Sequence, residues 1–323
     1  MSFDVLYFPN LSLPGPQWTN AVSLYFDRVG IIAPSEYELS LSDRRTASYV
    51  SEGIVKPMFA GAYDEHAGDE EFVAEIVRWW RAQTSRAVSA RRKYRIHRGK
   101  IESARLLQLL DRNHLLQADP EDGSWLIGPE PVCMRVMARL AQQIVERESI
   151  AAVLTSQKTA FEYVAGRGMP VESDRDRRIR AVTSLLPIGP WVSAEQLARF
   201  KDDHRRQLRL FRGFVEQLVR RERDDESFEM RIQRAAELRD ELVDELETIQ
   251  GRSTSSGLWL SAGKYMASLL EASPISGMLD LISGSRSRSS DAQRGREIGR
   301  DGLAYAVMAR SSLRARSSSE ILA

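Results

Sequence analysis

Cysteine is nearly absent from this chain. Cys133 is the only one in 323 residues, which excludes an internal disulfide and any cysteine-built zinc site. Lysine is scarce as well: of 46 basic residues six are lysine and 40 are arginine. That ratio fits a GC-rich bacterial genome better than a need for forty phosphate contacts. Acidic and basic residues almost cancel, leaving a formal charge of +1, so the molecule as a whole has no strong field for nucleic acid or an anionic membrane. No apolar run approaches the roughly 18 residues that would mark a membrane span. No basic region followed by an apolar core opens the chain, so no signal peptide is expected. No G-x-G-x-x-G, metal-ligand or catalytic motif stands out. The expected setting is the bacterial cytoplasm, with no cofactor, no metal and no membrane role.

What is present is ordinary in bulk, 42% hydrophobic and 28% charged, and informative in arrangement. Three regions are expected: a mixed α/β domain over 1–190, a long helical hairpin or coiled-coil arm over 191–250, and a linker with short helices over 251–323. The middle region organises the reading. Pro187-Ile188-Gly189-Pro190 ends what precedes it, and Ser193 with Gln196 has the spacing of a capping box. Leu197, Phe200, Leu208, Phe211, Val215 and Leu218 then recur at helical intervals, with His204 on the same face. After the charged run Arg220 to Glu226 the pattern resumes at Phe228, Ile232, Ala235, Leu238, Leu242, Leu246 and Ile249. A hairpin is favoured over one rod of about 85 Å, because so broad a stripe needs a surface to cover it. His204 is read as a partly buried helix-face histidine.

The N-terminal region begins strand, helix, strand. Phe3 to Phe8 and Val29 to Ala33 are short apolar runs flanking a helical Trp18 to Tyr25, which implies a βαβ unit with parallel neighbours. Further helices are expected at Ser42–Ser51, followed by a loop, and from Asp69 to about Arg92. Others are expected at Ile101–Leu110 and Val132–Val145. A hairpin turn is expected at Asp119-Pro120-Glu121-Asp122-Gly123. Ile150–Leu154 and Ile179–Leu186 read as a third and a fourth strand. The acids around Asp64 to Glu71, with His66, are read as helix-start residues on a solvated loop rather than a metal site. Leu258–Ile282 is moderately apolar but broken by Lys264, Glu271, Pro274 and Asp280, so it is read as packed helix rather than a membrane hairpin. Between Arg286 and Arg316 the chain is locally basic by five charges, and a last short helix is expected at Gly302–Leu313.

Two sets of candidate site residues emerge. Arg91, Arg92, Lys93, Arg95, Arg98 and Lys100 form the most basic short stretch, with Tyr94 and His97 interleaved, as a phosphate-binding patch would. The simpler reading is the solvated end of a helix running into a strand. Asp27 at the mouth of the βαβ unit, with His97 and Lys100, is the polar set an enzyme of this fold class would gather, since open α/β sheets bind ligands at strand carboxyl ends. Asp27 is otherwise a turn aspartate.

The opening also resembles a family of bacterial proteins of unknown function. The residues that carry this are Tyr7-Phe8-Pro9, Trp18, and Phe26-Asp27-Arg28-Val29 through Ile32 to Pro34. They are followed by His97-x-x-Lys100-Ile101 and by Leu186-Pro187 ahead of a capped, arginine-rich helix. The similarity covers residues 1–220, and Tyr25-Phe26-Asp27 departs from it where a tryptophan precedes the aspartate in the family. The resemblance implies a bacterial cytoplasmic protein and transfers no catalytic residue.

Three functions follow from these features. The first is an interaction or scaffold protein, using 193–250 to hold a partner or a second copy. The second is a nucleic-acid-binding component of a mobile-element or defence locus, using the basic stretch and the basic C-terminal region. The third is an enzyme of unrecognised type.

Overall fold

A computed structural model describes residues 3–8, 10, 13–34, 44–63, 68–84, 93–101, 103–150, 152–155, 175–220, 227–252 and 302–313. The protein is mixed α/β, as expected, and opens with the βαβ unit. Its contacts divide into two units. The first holds Met1–Leu13 and Phe26–Glu172, and the second holds Pro14–Tyr25 and Ser173–Ala323.

The first unit is built on a parallel sheet of β1 (Val5–Phe8), β2 (Val29–Ala33), β3 (Val55–Phe59) and β7 (Ala152–Thr155), in the order β3-β2-β1-β7. β1 and β2 are buried along their whole length, as strands of a covered parallel sheet must be. The loop expected after Gly53 is in fact β3. Lys56 and Pro57 interrupt its apolar run, and an edge strand tolerates a proline that a central strand would not. The chain reaches β3 through α2 (Arg44–Ser51).

A second sheet, antiparallel, holds β4 (Lys93–His97), β5 (Gln117–Ala118) and β6 (Trp125–Pro129) in the order β4-β6-β5. Around it run α3 (Asp69–Thr84), α4 (Ala104–Arg112) and α5 (Glu130–Glu148). α5 supplies much of the core, burying Val132, Cys133, Met134, Val136, Met137, Leu140 and Ile144 in one cluster with residues of both sheets, α3 and α4. Each such side chain, fully buried, is worth about 1.5–3 kcal/mol. Its methionines are core packing, as the sequence suggested.

The second unit is helical: α1 (Pro16–Tyr25), α6 (Arg175–Leu185), α7 (Ala194–Asp203), α8 (Arg205–Arg220), α9 (Phe228–Arg252) and α10 over 302–313. α6 is the stretch read as a fourth strand. Its buried positions Arg178, Ala181, Val182 and Leu185 have a helical period, and the arginine among them hid it. The capping box at Ser193 is present, with the Ser193 amide donating to Gln196 Oε1 at 2.9 Å and the Gln196 amide to Ser193 Oγ at 3.1 Å. α8 and α9 are in contact, and both also pack on α6. Their stripe is consumed within the unit: Leu208, Phe211, Phe214, Val215, Leu218, Ile232, Leu238 and Leu242 are buried. Phe211 meets Tyr25 edge-on at 5.9 Å and Tyr305 of α10 at 5.4 Å, and Phe200 meets Tyr305 at 5.4 Å. His204 caps α7, stacked on Phe200 at 4.3 Å. The apolar stretch 258–282 and the basic run beginning at Arg286 lie outside the described residues, except for Arg310 within α10.

Candidate functional site

The basic stretch does not form one face. Arg91 and Arg92 lie outside the described residues. Lys93 is exposed on β4. Arg95 is neutralised by Asp119, 2.6 Å away, and lies over the Trp125 ring. Lys100 points inward and is only 4% exposed. Burial without a water shell pulls its ammonium down from the ordinary 10.5 to about 7. Arg98 alone of the described members stands with its side chain unengaged in the opening of a cleft.

Nor does the structure gather Asp27, His97 and Lys100. Asp27 sits before β2 and ties the amino ends of β1 and β2 together. Its Oδ2 accepts the Phe3 amide at 2.6 Å, and its own amide donates to the Phe3 carbonyl at 2.9 Å. His97 and Lys100 belong to the far end of that strand. Gly99 between them lies so close to Pro34, which follows β2, that a Cβ there would come within 3.0 Å of the Pro34 ring. A whole strand thus separates Asp27 from the pair. The His97 ring accepts the Gly99 amide through Nδ1 and stands edge-on to Trp125. Asp27 therefore serves the turn.

Beneath Lys100 lies a buried polar cluster. Asp69 is 2% exposed, so it is not the solvated acid that its place at a helix start suggested. It accepts from Ser103 Oγ at 2.6 Å and Arg139 Nη2 at 2.8 Å, and Ser103 caps α4 by accepting the Leu106 amide at 3.0 Å. Asp69 thus ties the starts of α3 and α4 to α5. Among the described residues no group of His, Cys, Asp and Glu has the arrangement of a metal site. A cavity of about 10 Å3 beside Lys100 and Arg139 has room for one water and no substrate. The Cys133 thiol is buried and pushed up to about 12, which removes it as a nucleophile.

The cleft at Arg98 is of a different kind. It has a volume of about 340 Å3 and is lined by Arg98, Ala104, Leu107, Gln108, Asp111, Leu116, Ala118 and Leu126. Three local features shape it. Residues Arg98–Lys100 form a 3-10 turn whose entry is fixed by the Arg98 amide bonding to the Ser124 carbonyl at 2.7 Å. α4 is strongly two-sided, burying Leu106 and Leu110 and offering Leu107, Gln108 and Asp111 to the cleft. It stops at Asn113, with His114 in the left-handed region (φ 54°), so the chain doubles back into Leu115 and Leu116. Finally, Gly128 in β6 allows that return. A Cβ there would stand 2.4 Å from the Leu115 carbonyl oxygen. The result is an apolar wall of Leu107, Leu116, Ala118 and Leu126 under a polar opening of Arg98, Gln108 and Asp111. Volume, apolar wall and few polar groups are the usual attributes of a small-ligand site.

Of these residues only Arg98 was singled out by sequence. The amphipathic α4 ahead of a hairpin was the available signal, but the wall exists only once that hairpin folds back. No known protein family, curated protein or solved structure matches this chain.

Proposed function

We propose that the protein works by binding a small organic molecule in the cleft between α4 and the β5–β6 hairpin. The observation that carries this is the cleft itself: an open volume of about 340 Å3 with an apolar wall and an Arg98 side chain that pairs with no described residue. The enzyme reading has less support, because Asp27 stands a strand away from His97 and Lys100 and is engaged with the Phe3 backbone. The nucleic-acid reading is weakened by the hairpin turn, where the exposed Glu121 and Asp122 would meet phosphates with negative charge. Among the described residues no helix is long and apolar enough to cross a membrane.

A thermal-shift screen of a varied small-molecule library against the wild type and Leu107→Trp tests the proposal. Ligands should raise the Tm of the wild type and leave the variant, whose cleft is filled, unmoved. Equal shifts in both proteins, or none in the wild type, would refute it.

Partner binding is a second reading, favoured by Trp191. This side chain is 59% exposed on a prolyl turn of the helical unit, and tryptophan is enriched among the residues that carry most interface energy. A complex captured by the wild type and lost in Trp191→Ala would support it. Identical behaviour of the two proteins would count against it.

A further inference from the structure

The groups around the opening narrow the class of ligand, on the premise that the cleft is the binding site. Three arginines of the same unit are already engaged: Arg95 with Asp119, Arg105 with Glu70, and Arg139 with Asp69. Arg98 is different. Its backbone amide is used, but its guanidinium has no partner among the described residues. The carboxylate of Asp111 likewise has none among the described residues; only its backbone is engaged, the carbonyl accepting from the amides that end the helix. Among the described residues, one cation and one anion without a partner therefore line the same cleft. Gln108, which can both donate and accept, lines it too, and Leu107, Leu116, Ala118 and Leu126 form the wall.

We infer that the cleft takes a free α-amino acid with an apolar side chain. The carboxylate pairs with Arg98, the ammonium with Asp111, and the side chain lies on the leucine wall. Each alternative leaves something unmet. A simple carboxylate with an apolar tail satisfies Arg98 but brings a like charge towards Asp111 and gives it no donor. An apolar amine does the reverse. A phosphate ester carries about two negative charges to the same acidic side chain. A neutral apolar molecule shields both charges from water and pairs neither, which burial penalises. A guanidinium holds a carboxylate through two parallel hydrogen bonds, so Arg98 would orient the ligand and Asp111 would select it. The volume lies at the small end of the range for ligand sites, which suits a single residue rather than a peptide.

The test is isothermal titration of the full chain with L-leucine, L-phenylalanine, glycine, 4-methylpentanoate and 3-methylbutylamine, alongside Arg98→Gln, Asp111→Asn and Leu107→Trp. Leucine or phenylalanine should bind, and glycine and both truncated analogues should bind at least about tenfold more weakly. Asp111→Asn should weaken the amino acid about tenfold and leave 4-methylpentanoate unchanged or improved. Arg98→Gln should weaken the amino acid and leave the amine unchanged. Failure of every amino acid to bind, or binding indifferent to both charge variants, overturns the inference. If another class of molecule binds and is lost in Leu107→Trp, the inference falls and the cleft remains the site. If whatever binds still binds in Leu107→Trp, the cleft itself is the wrong place.

Discussion

The charged groups beside the Trp191 cavity and those beside the Arg98 cleft are used differently. In the helical unit Glu216 and Tyr305 turn inward and are answered there. Glu216 accepts Arg178 Nε at 2.5 Å and Nη2 at 2.8 Å, and the Tyr25 hydroxyl at 3.2 Å. Burial alone would raise the Glu216 carboxyl, and Arg178 outweighs it, so the group is held below its ordinary value. Tyr305 is fully buried, its phenol driven far up by that burial, and donates to the Leu24 carbonyl at 3.0 Å. Even the 230 Å3 cavity of this unit, beside Trp191, has its arginine occupied, since Arg310 is bound to Asp240. The α/β unit keeps an open cleft with an arginine and an aspartate that have no partner among the described residues, and elsewhere a lysine that burial pulls down to about 7. Both units spend charges on the fold, as at Glu216 and Asp69, while the cleft leaves Arg98 and Asp111 unpaired among the described residues.

Four perturbations would break or sharpen that contrast, in falling order of size. Phe211→Ala removes a ring fixed between Tyr25 and Tyr305, and should cost about 3–5 kcal/mol in urea unfolding. A loss under about 1 kcal/mol would mean that the helical core is not packed as described.

Glu216→Gln leaves Arg178 buried without its counter-charge and should cost about 1–3 kcal/mol at pH 7. Because the Glu216 carboxyl titrates lower in the folded than in the unfolded chain, its contribution is present above the ordinary carboxylate range. It fades as pH falls through the folded value. The gap between wild type and variant should therefore narrow in acid, and a constant gap would contradict the pairing.

Lys100 has the other sign. Its folded value of about 7 lies below the unfolded 10.5, so between those limits the unfolded chain binds more protons and stability rises with pH. Lys100→Met should flatten that rise between pH 7 and 10. An unchanged slope would place the lysine in contact with water.

The smallest effect is at the cleft. Arg98→Gln and Asp111→Asn should each change stability by no more than about 0.5 kcal/mol, since neither side chain has a partner among the described residues to lose. A large loss would show that these charges serve the fold.

How much of this the sequence carried follows the same division. β1, β2 and the capping box at Ser193 were legible because local pattern decides them. α6 was misread because a rule that counts arginine as surface cannot see Arg178 as part of a buried face. β3 was missed because Lys56 and Pro57 are allowed by its edge position, which only the finished sheet defines. The cleft was legible at Arg98 alone. Its wall comes from α4, the doubling back at His114 and the close approach at Gly128, and no local window contains all three.

Methyl resonances of the leucines offer the most direct measurement. The full chain is titrated with phenylalanine while Leu107, Leu116 and Leu126 in the cleft are followed, with Leu313 beside Trp191 as the contrast. The account requires saturable shifts of the first three and a silent Leu313. Shifts at Leu313 with the cleft silent would put the available chemistry in the wrong unit.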